Sequence, residues 1–467
     1  MVFSSIPFLF FFLPVFFAAY FASPGIRAKN ATALLFSLVF YAWGEPRFVL
    51  LLLASIVANF AMALAIDRLD GRARGAMLAV AVAGNLLTLG VFKYANFAVG
   101  NLNALLAPWG AHVAAPNITL PLGISFFTFH CLSYVIDVYR RRFRANRNLS
   151  EIALYIALFP QLVAGPMVRY RTVARQLHAR RHTLDRAWAG MRIVIIGLAQ
   201  KVLIADQLAP LAEAVFDHVA RPSLQESWLG LLAYTLQIYF DFCGYSNMAV
   251  GLGICLGFTL PRNFRLPYST TSITDFWRRW HMSLSSWLRD YLYIPLGGNR
   301  GAPWQTWRNL VTVFLLCGLW HGASWNFVLW GAWHGAFLVA ERAGLARLLA
   351  RLPRLLAWAY AMLAVMGGWV LFRAGNLTVA RHMYGALLGV HGARGLDFAT
   401  HMALTPLARL ALVAGCILAV APRWRVRLPM PAPAAEAAGT AWAFALLLVA
   451  AAFVAAGTYS PFLYFRF

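Results

Sequence analysis

Acidic residues are scarce in this chain, with 16 Asp and Glu among 467 residues, and only 12% of it carries charge of either sign. A soluble domain of that length needs about a quarter charged residues to cover its surface, so a globular, water-facing protein is excluded. Lysine is nearly missing: Lys29, Lys93 and Lys201 are the three among 40 basic residues. Five cysteines (Cys131, Cys243, Cys255, Cys317 and Cys416) are scattered through apolar segments with no C-x-x-C pair. That spacing supports neither a disulfide framework nor a zinc site, and the thiols read as small packing residues. G-x-S-x-G, H-E-x-x-H and metal-spaced His/Cys clusters are also lacking. Serine-hydrolase and zinc-hydrolase chemistry are thereby without sequence support, and no metal or bound cofactor is expected.

What is present is apolar surface. Hydrophobic residues make up 61% of the chain and fall into roughly eight or nine runs long enough for a spanning helix of about 20 residues. The expected fold class is all-α, a polytopic membrane protein embedded in the lipid bilayer, forming one domain over 1–467 with its chemistry concentrated in about 227–340. The net charge of +24 would suit a nucleic-acid partner only if it formed a continuous basic face. Here the arginines sit in short clusters between apolar runs, which is the positive-inside pattern and excludes nucleic acid. The first run, Ile6–Ala22, has Arg27 and Lys29 after it and no basic residue before it. A signal peptide has the reverse order, so the run reads as a retained helix whose N-terminus lies outside.

Alternating sides from that start, Arg27/Lys29 are inside, Glu45–Arg47 outside and Arg68/Arg72/Arg74 inside. Crossings at about 76–92 and 118–138 lead to the basic run 140–144, with 94–110 between them expected as an interfacial helix. The uncharged stretch 152–168 has basic flanks on both sides, and Pro160, Gly165 and Pro166 supply breaks, so a re-entrant hairpin beside an internal cavity is expected. Residues 190–206 cross outward and 227–261 cross back. The charge-free run 309–340 exceeds one crossing at ~1.5 Å per residue, and two half-length pieces broken near Gly318–Gly322 are expected. Three later crossings, at about 355–372, 408–421 and 440–456, place the C-terminus outside.

Three places in the central third carry candidate chemistry. Asp241 stands alone among 35 otherwise uncharged residues; an acid there needs a partner or a function, or caps a broken helix. In Trp277-Arg278-Arg279-Trp280-His281 through Leu288, positions 277, 280, 281, 284 and 288 share one face at helical spacing. His281 then lies on the apolar side while Arg278 and Arg279 point elsewhere, toward phosphates; a plain interfacial amphipathic helix is the alternative. His321, in Trp320-His321-Gly322, sits inside the charge-free run, where an ionisable group is a functional hypothesis by default. A neutral imidazole there can take a proton from a hydroxyl or thiol. The near-copy Trp333-His334-Gly335 would face another way on a continuous helix and is assigned to packing. Nine of the seventeen tryptophans fall between Trp277 and Trp333, a density that suits a wall around a reactive group.

On these residues the chain resembles the membrane-bound O-acyltransferase family, and within it the membrane subunits of polysaccharide O-acetylation, alginate's among them. The resemblance runs nearly end to end. It takes in Met1–Ser5, Phe92-Lys93-Tyr94-Ala95-Asn96-Phe97, Pro121–Phe126, Phe159–Pro166, the stretch from Asp275-Phe276-Trp277 to Gly297-Gly298-Asn299-Arg300, and Trp320-His321-Gly322. It implies a ring of helices around a central tunnel, with His321 as the essential histidine and His281 as a second polar position. Arg278, Arg279, Trp277, Trp280, Trp320 and Asp241 are then candidates for binding the donor or substrate. It further implies acetyl-CoA as cytoplasmic acyl donor, a periplasmic acetyltransferase partner and a polysaccharide acceptor. The expected location is a bacterial inner membrane, with both termini periplasmic. Tyr464, in the aromatic tail, is a candidate acyl relay or an interface anchor. Cys243, Asn247 and the loops 342–354 and 391–405 depart from the family pattern. The acceptor stays open among alginate, acetylated cellulose and other exopolysaccharides, peptidoglycan and teichoic acid. A polysaccharide exporter or a non-catalytic scaffold are the rival classes.

Overall fold

A computed structural model describes residues 3–163, 165–421 and 432–457. The described residues are helical with no β-strand, as a chain that must satisfy its backbone polar groups within lipid requires. They cluster into two units, Met1–Met191 with Ala249–Pro261, and Arg192–Met248 with Arg262–Phe467. Among the described residues five helices are long and apolar enough to cross a membrane: Val49–Arg68, Gly71–Trp109, Leu184–His218, Arg354–Arg373 and Ala434–Ala455.

In the first unit, α1 (Pro7–Ala22), α2 (Gly25–Gly44) and α3 (Val49–Arg68) are joined by short turns at Ser23–Pro24, just before Arg27, and at Glu45–Phe48, which holds Arg47. The next helix, α4, runs unbroken from Gly71 to Leu106, so the separate interfacial helix expected at 94–110 does not exist. No proline or glycine pair interrupts that stretch before Pro108, and the apolar run simply continues as helix for about 54 Å at ~1.5 Å per residue. After α5 (Ile124–Tyr139) come two pieces, α6 (Leu149–Ala157) and α7 (Phe159–Leu162), separated at Leu158. Pro160 sits in the first turn of α7, where its missing N–H costs nothing. Every residue from Ile152 to Val163 is buried, as a broken segment inside the protein requires. The basic loop after α8 (Tyr170–His178) is tied down by Tyr20, whose hydroxyl donates to the Leu256 carbonyl at 2.9 Å and accepts from Arg180 at 3.0 Å.

In the second unit a small-residue crossing sets up a buried charge cluster. α9 (Leu184–His218) meets α10 (Leu224–Cys255) where Gly197 faces Gly244. A Cβ on Gly197 would lie 2.5 Å from the Gly244 carbonyl oxygen, and one on Gly244 2.6 Å from that of Gly197. The missing side chains let the backbones touch, as in other membrane helix pairs. That contact carries Lys201 to Asp241: the ammonium lies 2.8 Å from Asp241 Oδ1 and 2.5 Å from Asp206 Oδ1. Between Gln200 and Ala205 the helix is π-helical, and the Asp206 N–H bonds the carbonyl of Lys201, five residues back. In a regular α-helix residues five apart diverge by about 140°; the wider turn stacks them side by side. Asp241 therefore has Lys201 as its partner, and α10 passes through it without a break, which removes the helix-cap reading.

The charge-free run forms a hairpin of α13 (Pro303–His321) and α14 (Trp325–Ala340), preceded by the short helices α11 (Ile273–Arg279) and α12 (Met282–Leu288). The break at residues 322–324 lies beside the expected one, but the pieces are 19 and 16 residues long rather than half-length. Pro303 starts the first helix within what reads as a basic loop, and this adds the missing turns. α13 and α14 touch backbone to backbone, since Cβ atoms at Gly318 and Gly331 would collide with the carbonyl oxygens of Phe327 and Phe314. The single amphipathic helix expected through 277–288 is also two helices, because Trp280 is extended and His281 sits at φ 42°, ψ 53°. Past this hairpin lie α15 (Arg354–Arg373), α16 (Leu377–Leu387), α17 (Phe398–Ala403), α18 (Pro406–Val420) and α19 (Ala432–Ala455). Four of the five cysteines are buried and all are free thiols, in keeping with a packing role.

Two substitutions test this packing by thermal unfolding of detergent-solubilised protein. Lys201→Met leaves two carboxylates buried without a cation and should cost ~3–5 kcal/mol; adding Asp206→Asn and Asp241→Asn should restore most of the lost melting temperature. Gly318→Ala forces α13 from α14 and should cost ~1–3 kcal/mol, whereas Gly375→Ala, in open space and at an ordinary backbone angle, serves as the control for handling.

Candidate active site

His321 is the last residue of α13, and the turn that follows sends the chain back antiparallel as α14. Its imidazole is 4% exposed and is enclosed by aromatic rings: Trp320 at 4.8 Å between centroids, Trp330 at 5.0 Å and Phe372 at 5.1 Å, all edge-to-face. Gly322 belongs to this enclosure, because the Phe327 ring occupies the space a Cβ would need. The glycine thus serves internal packing rather than the approach of a substrate chain.

The hairpin also overturns the expectation that His334 faces away from His321. With the chain reversed at residues 322–324, both imidazoles pack on Trp330, each at 5.0 Å. His334 is fully buried, and its Nδ1 accepts a hydrogen bond from the Trp277 indole at 3.4 Å. His281 is fully buried as well, as its apolar placement predicted. Its Nδ1 meets Asn263 Oδ1 at 3.3 Å, and Phe242 packs on it edge-to-face at 4.7 Å. Asn263 Oδ1 also accepts from the Ser283 hydroxyl at 2.6 Å, which locks the loop that bends at His281. A left-handed backbone at a non-glycine residue costs on the order of 1–2 kcal/mol, and these contacts hold it. Trp320 stands between the two histidines, 6.2 Å from His281 and 4.8 Å from His321.

Trp277 and Trp280 leave α11 on different errands. Trp280 packs on Phe264, Phe276 and Trp369 at 5.0, 5.5 and 5.0 Å. Trp277 forms one wall of a cavity of about 510 Å3. Arg278, Arg289, Tyr293 and Ser285 line it, and Val313, Phe314 and Cys317 complete it along α13. Cys317 precedes His321 by four residues, one helical turn, so the cavity runs to within a turn of the buried imidazole. Arg279 takes no part in it: its guanidinium is held by Asp275 at 2.9 Å and lies 3.4 Å from Ser269 Oγ. Of the two arginines read as phosphate ligands, only Arg278 faces this space.

Glu341 anchors the base of the site. Its carboxylate, 3% exposed, accepts from the Ile273 and Thr274 N–H groups at 2.6 and 2.9 Å and from the Tyr360 hydroxyl at 3.1 Å. It thereby satisfies the free N–H groups that open α11. Among the described residues no group of three His, Cys, Asp or Glu is placed to hold a metal. Tyr464, the candidate relay, lies outside the described residues.

Sequence reasoning missed Arg289 and Tyr293, Glu341, and the part played by Trp330 and Phe372. Arg289 follows Arg278 across the break at Trp280–His281 that separates α11 from α12, so helical spacing does not relate them. Trp330 is one of nine tryptophans in the stretch, and only the folded hairpin distinguishes it.

Known proteins similar to this chain identify its family. The pattern of the membrane-bound O-acyltransferase family matches residues 35–372. A probable alginate O-acetylase of Azotobacter vinelandii is 48% identical over 390 residues, covering 83% of this chain and 78% of the relative. The same-named protein of Pseudomonas aeruginosa is 47% identical, covering 83% and 75%. A peptidoglycan O-acetyltransferase of Helicobacter pylori is 35% identical, covering 84% and 80%. With its described residues helical, long apolar helices among them and a family match spanning its cavity and buried histidines, the chain belongs to the membrane-bound O-acyltransferase family and is a polytopic membrane acyltransferase.

Proposed function

We propose that this protein takes an acetyl group from cytoplasmic acetyl-CoA and passes it through the inner membrane for O-acetylation of an exopolysaccharide such as alginate, with a periplasmic acetyltransferase as partner. The observation that carries the reading is the cavity with Arg278 and Arg289 in its lining and Cys317, a turn from His321, on its α13 side. The guanidiniums of Arg278, exposed, and Arg289, paired with Asp290 at 2.7 Å, suit the phosphates of a nucleotide-bearing thioester, and the apolar wall of Val313, Phe314 and Trp277 suits its arm. Residues 262–308, which supply the arginines, are strongly basic and belong on the cytoplasmic side by the positive-inside rule. The same rule puts both termini in the periplasm. The acceptor follows the relatives of highest identity named here, at 48% and 47%, over the peptidoglycan-directed relative at 35%.

In this mechanism His321 is the general base. Its nitrogen takes the proton of an acceptor hydroxyl as the oxygen attacks the thioester carbonyl, then returns a proton to the departing thiolate. The enclosing rings of Trp320, Trp330 and Phe372 keep water from competing with the acceptor. His281 acts at one remove, since Trp320 lies between it and His321; it orients that indole and does not share the proton. Temporary residence of the acetyl group on the His321 ring, as acyl carrier, is the variant of the same scheme.

His321→Ala should remove ester-linked acetate from the exopolysaccharide of cells while the membrane level of the protein stays normal; retained acetylation would sink the assignment. In the purified protein, Arg278→Ala and Arg289→Ala should each raise the KM for acetyl-CoA about tenfold, the equivalent of ~1.4 kcal/mol, with kcat within about twofold of wild type. A loss confined to kcat would place the phosphates elsewhere. Acetate on peptidoglycan in place of exopolysaccharide would reassign the acceptor and leave the chemistry intact.

A further inference from the structure

Four indoles in the second unit of the protein have acceptors. Trp333 donates to the Ala364 carbonyl at 2.8 Å, Trp358 to that of Tyr268 at 2.8 Å, Trp369 to the Tyr268 hydroxyl at 3.1 Å and Trp277 to His334. Trp330 differs from these four. It is 1% exposed, and its Nε1–H has no hydrogen-bond partner among the described residues. An unmet buried donor costs ~1–3 kcal/mol, and this one sits on the ring packed 5.0 Å from His321.

The ring is also held from every side. Trp277 packs on it at 5.7 Å, Phe372 at 5.3 Å and His334 at 5.0 Å, and Trp369 stacks on it at 6.4 Å. Such a cage fixes the direction of the N–H without giving it a partner. Acyl transfer creates a partner for a moment: when a hydroxyl adds to a thioester carbonyl, the π electrons move onto the carbonyl oxygen. A fixed donor that is unpaired in the resting site and paired in the transition state lowers the barrier, because it stabilises the second more than the first.

We propose that the indole N–H of Trp330 is the oxyanion donor for the tetrahedral intermediate formed beside His321, which makes Trp330 a catalytic residue. This rests on the acetyl-transfer reading above. In the step, the acceptor O–H proton passes to His321 and the new C–O bond forms. The carbonyl electron pair moves to the oxygen, which accepts the hydrogen bond from Trp330. On collapse the C=O is restored, the C–S bond breaks with its pair on sulfur, and His321 returns the proton to give ester and free thiol. His334 is a positioning residue in this scheme, through its contacts with Trp330 and Trp277.

The test uses full-length protein in detergent or proteoliposomes, with thiol release from acetyl-CoA measured in the presence of acceptor. Two variants separate the N–H from the ring: Trp330→Phe, and incorporation at position 330 of 3-benzothienyl-alanine, which keeps the shape and replaces N–H by sulfur. The isostere should lower kcat on the order of 100-fold, with KM within about twofold and an unchanged melting temperature. An isostere within about threefold of wild type in kcat overturns the proposal, and does so equally if Trp330→Phe is inactive, since the ring would then serve packing alone. If His321→Ala proves as active as wild type, the underlying reading of the site fails and the oxyanion assignment falls with it. His321→Ala inactive beside an active isostere removes only the oxyanion assignment.

Discussion

The contact of α13 with α14 through Gly318 and Gly331 is the constraint on which the site depends. Two helices that touch backbone to backbone have little freedom to slide, because each carbonyl sits where the other helix lacks a side chain. This fixes the register of the hairpin, and the register places the last residue of one helix, His321, against Trp330 near the start of the other. Trp330 in turn meets His334, which holds Trp277 on the cavity wall. Widening the hairpin by one methyl group would therefore disturb the imidazole, its aromatic enclosure and the cavity together. Lipid gives no hydrophobic drive for helices to associate, so such packing contacts carry association in a membrane.

Several charged and polar groups in this interior are paired. Asp241 and Asp206 share Lys201, and Glu341 collects two backbone N–H groups and a tyrosine hydroxyl. His281 is braced by Asn263. Each arrangement offsets the cost of removing charge or dipole from water. Beside these pairs, the Trp330 indole N–H has no acceptor among the described residues and lies on the ring packed against the reactive imidazole.

Much of this was legible in the sequence, and the failures have physical causes. His321 and His281 announce themselves because ionisable side chains in uncharged runs are rare and costly. Asp241 was visible for the same reason, but Lys201 was not joined to it: the pairing depends on Gly197 meeting Gly244 across helices, and on a π-turn that no periodicity marks. The bend at Trp280–His281 was hidden because a histidine in the left-handed region has no signature of its own, whereas glycine would have. Charge counting underestimated α13, since Pro303–Arg308 reads as loop by composition yet folds as the first turns of the helix. The convergence of His334 on Trp330 follows from chain reversal, which spacing along one helix cannot express.

α9 contains two π-helical turns, at Gln200–Ala205 and Ala214–His218. Each such turn holds one residue more than a regular helix would over the same rise. Between Lys201 and Asp206 the wider turn thus holds one residue more than their pairing needs. Removing one of residues 202–205 would leave a regular helix with the ammonium and the carboxylate four apart, still neighbours on one face. The ion pair therefore tolerates a single-residue change of length in this turn, and a chain one residue shorter here keeps the cluster whole.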